Sequence, residues 1–329
     1  MSGRVTIKDV AAQAGVSRQT VTRALNGMDE ISETTRAKVL EASERLGYRA
    51  SRFASNLARS DKSRAIGFVV ATFRNPFYTE LTADLLGAAS TRGWQVTVVS
   101  HEQASEAETL ANVAREVDAI VGYFSLPDDE ILQAARGVPV VLLARTPTVP
   151  NLWSVDIDFS AGIADLVGQL RQRGSKRFGM LESQLRGGPY VKSGRRAAYE
   201  THVDDRSREA VVICEAEYQS VDAGSAGFRR LMAEHPETDT VLAFSDLMAM
   251  GALAAAHEEG MQVPGQVRIV GIDGLSLGAV TYPALSTLAI PGDEIASNVA
   301  DIIEAVLTGS APNPPHRLVT PRPLWRGTG

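Results

Sequence analysis

Four side chains near the N-terminus have the chemistry to read DNA: Arg18, Gln19, Thr22 and Arg23. An arginine fork bonds guanine bidentately, and a glutamine amide matches the edge of adenine in the same way. Their spacing sets them on one side of a helix. That chemistry needs a short helix held firmly from behind, and the neighbouring residues provide the support. Ile7, Val10, Ala11 and Ala14 recur at helical spacing, and Val21, Ala24 and Leu25 form the inner face of a second helix. Gly15 lies between them, where a left-handed backbone is cheap for glycine. Ser17 then suits the N-cap of the second helix. This is the pattern of a helix-turn-helix, whose second helix offers its first residues to the major groove.

A third helix is expected from Ser32 to Leu46. Ser32 and Thr35 suit its entry, although the acid of a capping box is missing at Thr35. Val39, Leu40, Ala42, Ser43 and Leu46 form its apolar stripe, and Gly47 ends it. The string Val-Ser-x-x-Thr-Val-x-Arg-x-Leu-Asn, from Val16 to Asn26, belongs to a specific pattern. Through it, the stretch from Val5 to Leu57 resembles the headpiece of the LacI/GalR family of bacterial transcriptional repressors. The resemblance implies that Arg18, Gln19 and Arg23 face bases. It also implies that Thr6, Ser17, Thr20, Asn26, Ser32 and Thr35 hold phosphates, with Thr22 on the same DNA-facing side.

The segment from Tyr48 to Ser60 resembles the hinge helix of that family, which lies in the minor groove at the operator centre. Ser51, Arg52, Ala54 and Leu57 are its expected DNA-contacting residues. Leu57 falls on the family's wedge position, where an apolar side chain pushed between base steps bends the duplex. Two residues depart from the family hinge: Ala50 stands for the usual proline and Ser55 for the usual basic residue.

Charge separates this end from the rest. The 329 residues carry a formal net charge of −6. Residues 1–60 hold ten Lys/Arg against six Asp/Glu, which leaves 23 basic and 33 acidic residues in the remainder. A basic headpiece on an acidic body keeps the attraction for nucleic acid local. The single cysteine, Cys214, excludes an intramolecular disulfide and a cysteine zinc cluster. No metal site and no cofactor are expected. With no apolar leader and no run of eighteen apolar residues, a cytoplasmic protein, nucleoid-associated through DNA, is the expectation.

From Arg64 onward short apolar runs alternate with helical stretches. Strands are predicted at 65–70, 95–99, 119–122, 139–143, 177–181, 210–213, 240–244 and 268–272. Helices are predicted over 78–92, from Ser105, from Asp128, over 160–173 and over 247–257. This alternation argues for doubly wound parallel sheets in two α/β lobes, with ligands at the strand C-terminal ends. The resemblance implies a two-lobed, periplasmic-binding-protein-like body. The expected division is 1–48 headpiece, 49–62 hinge and 63–329 effector-binding and dimerisation unit.

Residues at predicted strand ends are the pocket candidates. Thr72 to Phe77 follow the first strand, with Phe73, Asn75 and Phe77 the chosen contacts. Arg145, Ser245, Asp246 and Asp273 follow later strands. The resemblance adds Arg195 as an effector-gripping arginine and Tyr218 as an aromatic platform. Asp246 serves equally well as a helix cap, and Phe77 and Tyr78 equally well as core or lobe-contact aromatics. Ala144, Ser245 and Gly274 replace polar residues usual in the family. The effector implied is a sugar or sugar derivative; a nucleobase or other small metabolite, or a corepressor, is the alternative. A homodimer on a pseudo-palindromic operator is the expected assembly. A remote rival is a hydrolase, since Gly274-Leu275-Ser276-Leu277-Gly278 fits Gly-x-Ser-x-Gly, with Asp293, Asp301 and His316 following.

Overall fold

The computed structural model describes residues 7–25, 31–46, 64–186, 190–216 and 218–329. Thr6, Asn26, Ser51, Arg52, Ala54 and Leu57 lie outside the described residues.

Three helices form the N-terminal unit: α1 (Ile7–Ala14), α2 (Arg18–Leu25) and α3 (Glu33–Leu46). Val10, Ala11, Val21, Ala24, Val39 and Ala42 are its buried core. Gly15, at φ +67°, ends α1. The Val16 N–H reaches the Ala11 carbonyl at 3.0 Å and the Gly15 N–H the Ala12 carbonyl at 3.4 Å. That paired closure is a Schellman motif, which satisfies two helix-end carbonyls at once. Ser17 and Ser32 then open α2 and α3 by the same device. Each hydroxyl accepts the N–H three residues on, at 3.0 Å from Thr20 and 3.3 Å from Thr35. Each also meets the threonine hydroxyl there, at 2.8 and 2.9 Å. The threonines stand where a capping-box acid would be. Of the expected apolar stripe, Leu40 departs, being 46% exposed, while Ser43 is buried as expected.

The body has two six-stranded sheets. Lobe 1 holds β1 (Ala65–Val70), β2 (Gln95–Ser100), β3 (Ala119–Gly122), β4 (Val140–Leu143), β5 (Leu152–Ile157) and β11 (His316–Val319). Their order is β11-β5-β4-β3-β1-β2, all parallel. Lobe 2 holds β6 (Phe178–Leu185), β7 (Val211–Ala216), β8 (Thr240–Ala243), β9 (Arg268–Asp273), β10 (Ser286–Ala289) and β12 (Arg322–Leu324). Their order is β12-β10-β9-β8-β6-β7, with only β12 antiparallel. In each lobe the chain starts mid-sheet, steps to one edge, then returns across the first strand. The order therefore reverses between β1 and β3, and between β6 and β8. Loops leaving the strands on either side of such a switch point diverge and open a crevice.

Helices cover both faces of each sheet. In lobe 1, α4 (Pro76–Ser90) and α12 (Gly292–Leu307) pack on one face, and α5 (Glu106–Val113) and α6 (Asp128–Ala135) on the other. In lobe 2, α7 (Phe159–Gln172) and α8 (Gly194–His202) lie opposite α10 (Val221–Glu234) and α11 (Asp246–Glu258). A short α9 (Asp205–Glu209) precedes β7. The chain crosses between lobes three times: at Asp158, at Ile290-Pro291 and at Thr320-Pro321. Asp158 caps α7 through the Ala161 N–H at 2.9 Å, while its own N–H reaches the Val319 carbonyl at 2.8 Å. Two crossings are thereby tied together. Among the described residues no helix is long and apolar enough to cross a membrane.

Helices α10 and α11 approach backbone to backbone. A Cβ at Gly224 would overlap the Met248 carbonyl, and one at Gly251 the Val221 carbonyl oxygen. Neither obstacle is a flexible side chain, so added volume must push the helices apart. Gly251→Ala is expected to cost about 1–3 kcal/mol, read as a lower urea midpoint. Stability equal to wild type would show that the helix pair has slack.

Candidate functional site

The described residues present two surfaces with chemistry. The first is the start of α2. Arg18 and Gln19 are exposed there, and Thr22 and Arg23 are half-buried one turn on. The Thr22 hydroxyl donates to the Arg18 carbonyl at 3.0 Å. Ser17 and Thr20, and Ser32 and Thr35, put hydroxyls and free N–H groups at two helix N-termini. Such ends suit phosphate oxygens. Exposed arginine and glutamine side chains and two capped helix N-termini thus occupy one small unit.

The second surface is a cleft between the lobes. Its cavity has a volume of about 440 Å3 and is lined by Ala71, Thr72, Asn75, Tyr78, His101, Glu102, Ser183, Leu185, Tyr218, Gln219 and Phe244. These residues sit in or after the carboxyl ends of β1, β2, β6, β7 and β8. Asn75 is the link. Its side-chain oxygen accepts the Phe77 N–H at 3.0 Å and caps α4. Its amide nitrogen then crosses to lobe 2, donating to Gln219 Oε1 at 3.2 Å and Asp273 Oδ2 at 3.3 Å.

Asp273 ends β9 with a φ of +147°, and its side chain is only 2% exposed. Arg195 Nη2 lies 3.6 Å from Asp273 Oδ1. Its guanidinium lies 4.6 Å from the Phe159 ring centre and 4.3 Å from that of Phe244. Burial pushes the Asp273 carboxyl up to about 7, against the pull of Arg195, with Asp246 adding to the rise. Burial likewise raises the Tyr78 and Tyr123 phenols. Tyr78 and Tyr123 meet edge to face at 5.3 Å. The Tyr123 hydroxyl and Arg195 Nε are buried without a hydrogen-bond partner. Buried donors left unmade are costly, and both lie behind the residues that line the cavity.

At the mouth, the Arg74 guanidinium of lobe 1 lies 4.6 Å from the Tyr218 ring centre of lobe 2. Arg74 Nε also donates to Glu102 Oε1 at 2.5 Å, and Thr72 Oγ1 to Glu102 Oε2 at 3.2 Å. The Arg74 hydrogen bond, ahead of burial, holds the Glu102 carboxyl below the ordinary range. On a third line of contact, Ser276 gives both its N–H (3.1 Å) and its hydroxyl (2.6 Å) to Glu80 Oε1 of α4.

Of the pocket candidates, Asn75 and Tyr218 line the cavity, and Arg195 and Asp273 form a pair beneath Asn75 and Phe244. Five others do not line it. Phe73 is 47% exposed, and Phe77 is buried in the lobe 1 core. Arg145 is ion-paired with Asp128. Ser245 caps α11 through the Met248 N–H at 3.4 Å. Asp246 is fully buried and does not cap its own helix. Its Oδ2 accepts the Gly274 and Leu275 N–H groups at 3.0 and 2.7 Å, which fixes the turn after Asp273. Sequence reasoning missed His101, Glu102, Tyr123, Ser183, Leu185 and Gln219. The strand-end rule, applied to β2 and β3 as it was to β1, points to the first three. The residues of the Gly-x-Ser-x-Gly reading do not converge: Ser276 faces Glu80, His316 meets the Ser154 hydroxyl at 3.1 Å, and Asp301 pairs with Arg92 and Arg317. Among the described residues no cluster of His, Cys, Asp and Glu is arranged to hold a metal.

Comparison with known proteins covers both surfaces. Residues 6–51 match the family of bacterial regulatory proteins described as the lacI family, and residues 167–328 match a periplasmic binding protein-like domain. The chain is 31% identical to catabolite control protein A of Priestia megaterium over 296 residues, 87% of this chain and 88% of that one. It resembles the structure of the transcriptional regulator CelR in complex with cellobiose at 28% identity and a TM-score of 0.67, over 99% of this chain and 100% of that one. It also resembles a LacI family regulator from Arthrobacter sp. FB24 in complex with lactose, at 26% identity and a TM-score of 0.72, over 80% of this chain and 98% of that one.

The Asp273 environment has a pH signature. Its carboxyl moves from 3.8 to about 7 on folding. Between those values the folded chain holds a proton that the unfolded chain releases. Stability from this group is therefore present below about pH 4 and lost as pH rises toward 7. Asp273→Asn removes that slope. The stability difference between variant and wild type is expected to shift in the variant's favour by on the order of 2–4 kcal/mol from about pH 4 to pH 8, measured by urea unfolding. A pH-independent difference would mean the carboxyl is ionised throughout.

Proposed function

This chain belongs to the lacI family of bacterial regulatory proteins, and from that premise we propose that it is a cytoplasmic repressor whose grip on operator DNA is set by a sugar or sugar derivative in the interlobe cleft. It is a DNA-binding transcription regulator with an effector-binding body. The observation that carries the finer reading is the cleft: aromatic faces and polar side chains line a cavity where two lobes meet, with two charge pairs beside it. Rings suit the C–H faces of a sugar, and the polar groups suit its hydroxyls.

DNA recognition falls to Arg18, Gln19, Thr22 and Arg23 on bases, with Thr6, Ser17, Thr20, Asn26, Ser32 and Thr35 on phosphates. Ser51, Arg52, Ala54 and Leu57 act at the operator centre, in a hinge over 49–62. Effector contact falls to Asn75, Arg195, Tyr218 and Asp273, supported by Ser245 and Asp246. An effector that binds one lobe arrangement better than the other shifts the population between them, and with it operator affinity. Two copies are required to match a pseudo-palindromic operator. Leu277, Val280 and Tyr282 are 45%, 81% and 98% exposed on one short stretch of lobe 2, an apolar surface for a second copy of this chain.

Selection of bound sequences from random duplex DNA, followed by affinity measurements with a sugar panel, tests the reading. A palindrome whose affinity changes with one sugar supports it; no enriched sequence from folded protein defeats it. Arg23→Ala is expected to cost about 1–3 kcal/mol on that operator and to relax one base preference. Retention of the full preference would remove Arg23 from base reading. Tyr282→Asp is expected to yield a monomer by analytical ultracentrifugation with much weakened operator binding. A variant that remains dimeric would place the interface elsewhere.

A further inference from the structure

We propose that the outer half of the cleft is a subsite for the second ring of an uncharged glycoside, entered when that ring displaces Arg74 from the face of Tyr218. The inference rests on the sugar reading above and narrows it to a charge class and a length.

The charged groups in contact with the residues that line the cavity fall into two sets, ordered by exposure. The inner set is built on Asp273 and Arg195, whose side chains are 2% and 18% exposed. The outer set is built on Arg74 and Glu102, at 53% and 35%. Each set holds one guanidinium and one carboxylate in contact, at 3.6 Å inside and 2.5 Å outside. This decides the charge class. A phosphate or carboxylate on the ligand would have to win a guanidinium from its partner and then lie against that partner. A hydroxyl has no such conflict: it donates to the carboxylate and accepts from the guanidinium, so it bridges the pair. The cleft therefore discriminates against anionic sugars.

Size decides the length. Water in the liquid occupies about 30 Å3 per molecule, so a cavity of about 440 Å3 has room for about fifteen waters. One pyranose ring leaves much of that space unfilled. Aromatic faces occur beside both sets: Phe244 against the inner guanidinium, with Tyr78 also lining the cavity, and Tyr218 against the outer one. An aromatic platform in each set suits a ligand with two rings.

Tyr218 has a further property. Its ring already carries the Arg74 guanidinium, and this contact joins lobe 1 to lobe 2. A sugar ring stacking on that face takes the place of Arg74, while Glu102 keeps the freed guanidinium close to the new hydroxyls. The cross-lobe contact is thereby exchanged for one that runs through the ligand. A single ring held by the inner set leaves the Arg74–Tyr218 contact intact.

Isothermal titration of the full-length protein with glucose, glucose 6-phosphate, cellobiose, lactose and maltose tests this. One of the disaccharides is expected to bind roughly tenfold or more tighter than glucose, and glucose 6-phosphate no tighter than glucose. Tyr218→Ala is expected to lower disaccharide affinity by roughly tenfold and to leave glucose unchanged, while Tyr218→Phe keeps the ring and the affinity. Equal losses for one ring and two in Tyr218→Ala, or tightest binding of the sugar phosphate, would overturn the subsite and leave a sugar effector standing. Binding of none of these sugars by protein that still selects an operator would overturn the sugar reading itself.

Discussion

A carboxylate that must live without water between two lobes governs the rest of the body. Asp273 has burial against it and only Arg195, Asn75 and the Asp246 N–H on its side. Each of those partners comes from a different element, so each element is held where the carboxylate needs it. Asn75 brings the start of α4 from lobe 1. Arg195 comes from the first turn of α8 and rests on Phe159 and Phe244, at the start of α7 and the end of β8. Asp246 fixes the turn that follows β9. Loss of one partner leaves a buried carboxyl with less to offset its burial. Anything that changes how well this group is satisfied acts on both lobes together.

The two halves of the chain solve opposite problems. The headpiece is small, and local devices carry much of its order: a glycine closure, two serine caps and a core of six small or branched apolar residues. The body instead depends on non-local pairing. Its sheets are completed by β11 and β12, which come from the far end of the chain and pair with strands laid down long before. Three short crossings join the lobes, and two are tied by Asp158. Short parallel connections favour rotation about a common hinge over independent drift, since each crossing limits the others.

The cleft itself follows from strand order. Parallel strands bring their carboxyl ends to one side, and the reversal beside β1 and β6 leaves a crevice there. Side chains that are remote in sequence, such as Arg74 and Tyr218, meet only because both lobes direct their switch points at the same space. Tyr78 and Phe77 show how fine the division is. They are adjacent on α4, yet one lines the cavity and the other joins the core, because the helix faces lobe and cleft at once.

The sequence by itself determined the local structure. Gly15, Ser17 and the spacing of Val10, Ala11, Val21 and Ala24 act over one or two helical turns, so the helix-turn-helix was legible residue by residue. The alternation of apolar runs and helices made the doubly wound body legible too, with eight strands close to their expected bounds. Strands β5, β10, β11 and β12 were not found. The last three are three or four residues long, and Ser286 and Thr287 of β10 are polar groups that only burial by β9 and the C-terminal segment explains. The tertiary structure alone decided which strand-end residues face the cleft. Arg145 is drawn to Asp128, Ser245 and Asp246 to backbone N–H groups, and Phe77 to the core. His101, Glu102, Tyr123 and Gln219 enter the site from loops that carry no periodic signal. Helix caps are local, so they can be read from a string of letters. A cleft is made by the meeting of distant loops, and its membership is fixed only when the sheets have formed.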